Sequence, residues 1–244
     1  MPKFEEYLKT GVPGFDELLG NRGIPKGAVV ALLGGPGCGK TLLALQICKN
    51  LSEQGKKCLY WSLNEDEERI KWYMETRGWR INENLIVKRG DTYGIAKEVE
   101  SVFLNKRGMV PYKALEESFF RKLKEISPEF FVLDSLTAVS SIFINERHMY
   151  RIYLEELFRT LNENGITSFL ICEETKGVEG CASGVEEFLA DGVVILYNVR
   201  KGSVRARGIE VFKFRGLKHE RKIVGMEITE DGIVVYPEQE LLEI

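Results

Sequence analysis

Short apolar runs alternate with longer segments of helical periodicity along most of the chain. Six runs have the length and composition of buried strands: residues 29–33, 58–63, 85–87, 130–133, 167–172 and 193–197. Four intervening segments are predicted as helices: residues 41–51, 67–77, 112–126 and 146–161. Strands that alternate with helices favour a parallel sheet covered by helices on both faces.

The pattern changes after residue 205. Residues 209–214, 223–228 and 233–236 resemble hairpin strands, and a turn at 230–232 joins the last two. No linker, internal repeat or low-complexity tract divides the sequence. We therefore expect one α/β domain over residues 1–244, with a mostly parallel central sheet and a C-terminal antiparallel hairpin extension.

Composition narrows the class of protein. The 244 residues are 44% hydrophobic and 29% charged, which is ordinary for a globular chain with a sizeable core. A net charge of −3 provides no overall basic field for nucleic acid. The apolar runs are too short to span a membrane, and the first residues form no apolar signal segment. Five cysteines without a CxxC pair favour a reduced, cytoplasmic chain over a zinc site or a disulfide framework.

Residues 34–41 read GGPGCGKT and lie between a predicted strand and a predicted helix. Gly34, Gly39, Lys40 and Thr41 fill the phosphate-loop pattern G-x-x-x-x-G-K-[ST]. The glycines let backbone N–H groups surround phosphate oxygens, the lysine reaches the β- and γ-phosphates, and the hydroxyl is offered to Mg²⁺. This context favours a nucleotide site over a glycine-rich turn without a ligand. The predicted contact residues are Gly35, Pro36, Gly37, Cys38, Gly39, Lys40, Thr41 and Leu42.

A phosphate loop that uses Mg²⁺ needs an acidic partner at the end of another buried strand. Asp134 closes the run at 130–134 and would hold Mg²⁺ through a water, although it could instead begin a turn with Ser135. A further carboxylate should orient the attacking water. The polar run at 64–68 follows the strand at 58–63 and supplies several candidates, among which the pattern does not choose.

Several longer stretches together resemble the KaiC branch of the RecA/RadA ATPase family. They are residues 11–27, 131–143, 184–196, 209–222 and 225–237, so the resemblance covers almost the full chain. The resemblance implies a RecA-like P-loop core, ATP and Mg²⁺ as ligands, and homo-hexameric rings with ATP between subunits. KaiC proper has two such domains in tandem, whereas this chain has one.

The resemblance also implies the remaining site residues. A Glu-Glu pair of the family aligns with Asn64 and Glu65, which leaves Glu65 as the catalytic base and Asn64 as its helper. An amide can hydrogen-bond a water but cannot take its proton, so slow hydrolysis is expected. The family's Lys-x-Arg-x-x-x-His pattern aligns with Lys213, Arg215 and His219, which would reach the ATP of a neighbouring subunit. The alternative for these cations is a solvated hairpin edge.

The leading hypothesis is a Mg²⁺-dependent, KaiC-like ATPase in a cytoplasmic homo-oligomer, with a regulatory role and an unknown protein partner. One alternative is a DNA-dependent ATPase, because residues 200–222 are locally basic. The loop at 174–183 carries a single lysine, so nucleic acid is not favoured. The other alternative is a nucleotide sensor that does not hydrolyse ATP, which Asn64 suggests. Oxidation of Cys38 could block nucleotide binding, although a small residue filling the loop is the simpler interpretation.

Overall fold

The computed structural model describes residues 6–91, 119–143, 146–173 and 184–241. The first part of the helix predicted at 112–126 and the loop at 174–183 lie outside these residues. All statements about the fold below concern the described ranges.

The predicted strands and helices appear in the predicted order, together with several short elements that the periodicity does not show. The strands are β1 Tyr7–Leu8, β2 Ile24–Pro25, β3 Val29–Gly34, β4 Cys58–Ser62, β5 Leu85–Arg89, β6 Phe130–Asp134, β7 Thr167–Glu173, β8 Gly192–Lys201, β9 Val204–Phe214, β10 Val224–Ile228 and β11 Ile233–Glu240. The helices are α1 Phe15–Leu18, α2 Lys40–Glu53, α3 Glu67–Glu75, α4 Phe119–Ile126, α5 Leu136–Ser140, α6 Arg147–Glu163 and α7 Val185–Leu189, with a 3₁₀ turn at Ser141–Phe143.

Nine strands form one sheet in the order β11-β10-β9-β8-β3-β7-β6-β4-β5. The strands from β8 to β5 in this order are parallel, whereas β9, β10 and β11 pair antiparallel. The predicted α/β class and the antiparallel C-terminal extension are therefore confirmed. The carboxyl ends of β3, β4, β6 and β7 meet at one edge of the sheet, where ligands bind in open α/β folds.

The β8–β9 hairpin extends well beyond the strands predicted at 193–197 and 209–214. The ladder continues to the pair Lys201 and Val204, through a segment rich in polar and basic residues. The backbone hydrogen bonds of a two-stranded ribbon need no apolar side chains, so the hydrophobic pattern ends before the strands do.

Helices cover both faces of the sheet, and each buried strand contributes to two hydrophobic cores. In β3, Val30 and Leu32 pack into the core that contains α2, α3 and the C-terminal strands. Val29, Ala31 and Leu33 pack into the opposite core with α5 and α6. Because successive side chains of a strand point to opposite faces, a strand covered on both sides is apolar throughout.

The β10–β11 hairpin is fixed to α2 by one buried glutamine. The Gln46 side chain donates to the carbonyl of Ile233 at 3.1 Å and accepts from its N–H at 2.6 Å. These paired bonds hold the start of β11 against the middle of α2, and the Ile228 side chain of β10 lies close to Gly39, the residue before α2. No helix within the described ranges is long and apolar enough to cross a membrane.

Candidate functional site

The phosphate loop lies between β3 and α2, as the sequence predicts. Gly39 precedes the first residue of α2 with a φ of 110°, and Gly37 has a φ of 72°. Both values lie in the left-handed region that favours glycine. The first N–H groups of α2 have no partners within the helix, so they and the helix dipole favour an anion at this end.

Gly34 is required where the loop leaves β3. Its φ is 148°, and an added Cβ would lie 2.4 Å from the carbonyl oxygen of Leu196 and 2.7 Å from Sγ of Cys38. No side chain fits between the Leu196 backbone and the Cys38 sulfur at these distances. The close pairing of β3 and β8 therefore sets the path of the loop.

Lys40 is folded back over the loop. Its ammonium donates to the carbonyls of Gly34 at 2.6 Å and Gly35 at 3.0 Å, and lies 3.8 Å from Sγ of Cys38. These neutral acceptors keep the cation at the mouth of the loop. The oxygens of a bound phosphate would compete for it as charged acceptors, which form stronger hydrogen bonds.

Thr41 and Asp134 meet although they are far apart in the sequence. The Thr41 hydroxyl donates to Oδ2 of Asp134 at 2.9 Å. The buried Tyr60 hydroxyl donates to the same oxygen at 2.5 Å. Burial, together with the neighbouring Asp134 carboxylate, raises the pKa of Tyr60 well above its ordinary value, so the phenol stays protonated as a donor.

This hydroxyl and carboxylate are oxygen ligands of the kind that Mg²⁺ takes. Mg²⁺ is usually held by one or two carboxylates, waters and substrate phosphates rather than by a complete protein cage. Within the described ranges no group of three or more His, Cys, Asp or Glu side chains could hold a metal ion by itself. Thr41 and Asp134 therefore fit a Mg²⁺ ion that arrives with a nucleotide.

A pocket of about 910 Å³ extends from the loop along α2 and α3. Its walls include six of the predicted contact residues, Pro36, Gly37, Gly39, Lys40, Thr41 and Leu42, as well as Asp134. The sequence analysis missed Leu45, Tyr73, Arg77, Thr137, Ile171, Glu173 and Ile228. Glu173 is the last residue of β7 and Thr137 lies three residues after β6, and these positions near the carboxyl ends of strands could have identified them.

Arg77 and Tyr73 form part of the pocket wall on the side of α3. The Nε atom of Arg77 is buried and, among the described residues, has no hydrogen-bond partner. Their four-residue spacing places both on one face of the helical segment, but only the packing of α3 shows that this face borders the pocket.

Two of the predicted loop contacts take other positions. Cys38 is fully buried, and burial raises the pKa of its thiol, although Lys40 opposes this effect. A buried and protonated thiol is a poor target for oxidation, so this geometry does not favour redox control. Gly35 contributes its carbonyl to Lys40 and is not part of the pocket wall.

The loop backbone is also held by the β8–β9 hairpin. Asn198 donates to the carbonyl of Pro36, and Arg207 donates to that of Gly37, each at 3.4 Å. Because C=O and N–H point in opposite directions across a trans peptide, these long contacts orient the next N–H groups away from the hairpin.

Asn64 and Glu65 follow β4 beside the end of β6. The Asn64 amide donates to the Ser135 hydroxyl at 3.3 Å, next to Asp134. The Glu65 N–H donates to the Ser62 hydroxyl at 2.9 Å, and Oε1 of Glu65 accepts from Tyr73 at 3.0 Å. Among the residues described, neither Asn64 nor Glu65 belongs to the pocket wall itself.

Lys213, Arg215 and His219 lie at the other edge of the sheet. Phe214 pairs with Gly192 at the start of β8, whereas Gly34 pairs with Leu196 further along that strand. Four residues of a strand separate these levels by about 13 Å. Lys213, Arg215 and His219 therefore do not meet the phosphate loop of their own chain.

Arg215 and His219 make local contacts where they lie. The Arg215 guanidinium donates to the Phe188 carbonyl at 2.6 Å, and Nδ1 of His219 lies 2.8 Å from the Glu220 carbonyl. Burial lowers the pKa of Lys213, and the charge of Arg215 lowers it further.

Known proteins match the chain over nearly its full length. The family model described as "ATPase: KaiC" matches residues 8–240. A UPF0273 protein of Thermotoga maritima is 30% identical over 95% of this chain and 96% of its own. A UPF0273 protein of Pyrococcus furiosus is 30% identical over 96% of this chain and 95% of its own.

Two further matches carry the KaiC name. The circadian clock oscillator protein KaiC of a Nostoc species is 28% identical over 95% of this chain, which corresponds to 44% of that longer protein. The crystal structure of a KaiC-like protein from Pyrococcus horikoshii superposes with a TM-score of 0.75 at 28% identity, over 95% of this chain and 99% of the other. This agreement supports the RecA-like core that the sequence predicts.

Proposed function

The chain belongs to the KaiC family of ATPases, and from this premise we propose that it hydrolyses ATP with Mg²⁺ at a site that two copies complete. The observation that carries the proposal is the 2.9 Å hydrogen bond between Thr41 and Asp134. It joins the first turn of the loop helix to the end of β6, beside Lys40, and so brings a cation and two metal-type oxygens to one end of an open pocket.

The loop residues bind and orient the triphosphate. The N–H groups at the start of α2 surround phosphate oxygens, and Lys40 exchanges the loop carbonyls for the β- and γ-phosphates. Thr41 and Asp134 would hold Mg²⁺, directly or through water. When bound, Mg²⁺ neutralises negative charge on the phosphates.

Glu65 is the proposed base and Asn64 its helper. Glu65 accepts a proton from water as the water oxygen bonds to the γ-phosphorus. The bond between that phosphorus and the oxygen bridging to the β-phosphate breaks, and ADP leaves with its electron pair. Asn64 can hydrogen-bond the water but cannot take the proton, so hydrolysis should be slow.

Lys213, Arg215 and His219 are proposed to act on the ATP of a neighbouring copy in a homo-oligomeric ring, most simply a hexamer. Two arguments support this. The three residues lie at the sheet edge away from their own loop. The mutual repulsion of Lys213 and Arg215 would also be relieved by a phosphate from outside the chain. Trans-acting cations of this kind contribute about 10³–10⁵ to the rate in GTPases.

The test is complementation between two variants. Lys40→Ala should not bind or turn over ATP, and Arg215→Ala should bind ATP but turn it over slowly. In an equal mixture of the two, about a quarter of the head-to-tail interfaces would combine an intact Lys40 with an intact Arg215, and activity should reappear. A mixture as inactive as its components, with mixed oligomers shown by native mass spectrometry, would refute the shared site. Single-stranded DNA should leave the wild-type rate unchanged.

A nucleotide sensor without hydrolysis is the second candidate, and Asn64 is the residue that favours it. Its amide occupies the place of a family carboxylate and is already used as a donor to Ser135. Tight ATP binding with no phosphate release over hours would support the sensor. In either case we propose a cytoplasmic regulatory protein, since five cysteines without a CxxC pair are typical of a reduced chain.

A further inference from the structure

The two carboxylate oxygens of Glu65 have different hydrogen-bond surroundings. Its Oε1 atom accepts from the Tyr73 hydroxyl at 3.0 Å. Its Oε2 atom is buried and, among the residues described, has no hydrogen-bond partner. A buried acceptor without a donor is costly and uncommon, so its retention calls for a reason.

Arg69 fixes the direction of the Tyr73 proton. Nε of Arg69 donates to the Tyr73 oxygen at 2.8 Å, and the guanidinium also lies 3.9 Å from Oε1 of Glu65. A phenol has one proton, and it cannot point toward a guanidinium that is itself donating. The Tyr73 hydroxyl is therefore committed to Glu65.

Tyr73 also connects this carboxylate to the pocket. Tyr73 is part of the pocket wall beside the phosphate loop, whereas Glu65 itself does not line the pocket. Arg69 and Tyr73 lie four residues apart within α3 and so on one side of it, and Glu65 lies two residues before the helix begins. The backbone end of Glu65 is held separately, by its N–H bond to Ser62.

We propose that Tyr73 is a positioning residue for hydrolysis, which occupies Oε1 of Glu65 so that Oε2 remains as the oxygen that receives the proton from water. This inference rests on the proposed function, because it assigns a role to the base of that reaction. Tyr73 touches the carboxylate and not the reacting water, so it acts through Glu65 alone. A carboxylate with one oxygen anchored and one free is oriented before the substrate arrives.

The substitution Tyr73→Phe tests this role because it keeps the ring of the pocket wall and removes only the hydroxyl. In single-turnover measurements with excess protein, the rate constant for ATP cleavage should fall about tenfold or more, since general-base catalysis contributes about 10²–10⁴. The dissociation constant for ATP should change less than about twofold, because the phosphate and metal ligands are untouched.

Two further variants complete the experiment. Tyr236→Phe is the matched control: its hydroxyl donates to Glu227 at 2.9 Å on the exposed surface, and its removal should leave cleavage unchanged. Arg69→Met removes the orienting donor from an exposed position without endangering the fold. It should slow cleavage in the same direction as Tyr73→Phe, with ATP binding retained.

The cleavage rate of Tyr73→Phe decides whether Tyr73 positions Glu65. An unchanged or faster cleavage rate in Tyr73→Phe would overturn the positioning role, as would parallel losses of ATP affinity and cleavage. If Tyr73→Phe does not fold, the Arg69→Met rate decides in its place. A wild-type protein that binds ATP but never cleaves it would refute the proposed hydrolysis and the positioning role together, which distinguishes that failure from the others.

Discussion

Replacing Tyr60 by phenylalanine removes one buried hydroxyl oxygen, which donates a hydrogen bond to the Asp134 carboxylate. Tyr60 is fully buried in the core beneath α2, and its hydroxyl donates to Oδ2 of Asp134 at 2.5 Å. The phenyl ring of the variant fills the same space. The perturbation is therefore the loss of one hydrogen bond to a carboxylate, with almost no change in packing.

The size of the effect follows from the charge and exposure of the acceptor. A hydrogen bond to a charged group contributes about 1.5–3 kcal/mol to stability. Asp134 is half-buried and keeps the bond from Thr41, so the lower end of about 1.5 kcal/mol applies. In a chain of this size 1 kcal/mol shifts Tm by about 2–4 °C, which predicts a decrease of about 3–6 °C.

The assay is urea and thermal unfolding followed by circular dichroism, without nucleotide and at one protein concentration. Tyr236→Phe serves again as the control, because water replaces its exposed hydrogen bond to Glu227. The loss should appear in Tyr60→Phe and not in Tyr236→Phe. Equal stability of Tyr60→Phe and wild type, or equal losses in the two variants, would refute the reasoning.

Two other predictions follow from the same structure. Burial, and then the Asp134 carboxylate, raise the pKa of Tyr60 in the folded protein. Its contribution to the free energy of unfolding is therefore fully present below about pH 10, where an unfolded tyrosine ionises. This contribution is lost as the pH rises toward the folded pKa. Alkaline unfolding titrations should therefore show a steeper loss of stability above about pH 10 for wild type than for Tyr60→Phe, and parallel curves would contradict this. An added Cβ at Gly34 would meet the Leu196 carbonyl at 2.4 Å, so Gly34→Ala should lower Tm and abolish ATP binding in calorimetry. At Gly225 the atom nearest to an added Cβ is 3.6 Å away, so Gly225→Ala should retain both the Tm and ATP binding. Equal behaviour of Gly34→Ala and Gly225→Ala would contradict the steric requirement for Gly34.

Much of the fold could be predicted because its signals are local. A strand covered on both faces is a continuous apolar run, and the buried strands near the predicted positions 29–33 and 130–133 show this clearly. The short helices α5 and α7 were missed because one turn or so of helix has no periodicity to detect. The β8–β9 ribbon was predicted too short because its far end is polar.

The residues of the candidate site could also be predicted only in part. The loop, Lys40 and Thr41 could be predicted because a fixed spacing carries their chemistry. Tyr60 could not, since a tyrosine in an apolar run reads as core until the partner of its hydroxyl is known. The same holds for Tyr73, whose hydroxyl and ring face two different features of the site.

The sequence by itself determined the phosphate loop, the alternation of strands and helices, and the family resemblance, because each depends on neighbouring residues or on fixed spacing. Only the tertiary structure decided which distant side chains meet. The strand order places β6 next to β4 and so brings Asp134 to Tyr60, while the start of α2 brings Thr41 to both. The antiparallel direction of β9 places Lys213 and Arg215 at the start of β8, away from their own loop. Such contacts depend on how the sheet is assembled, which no local pattern in the chain encodes.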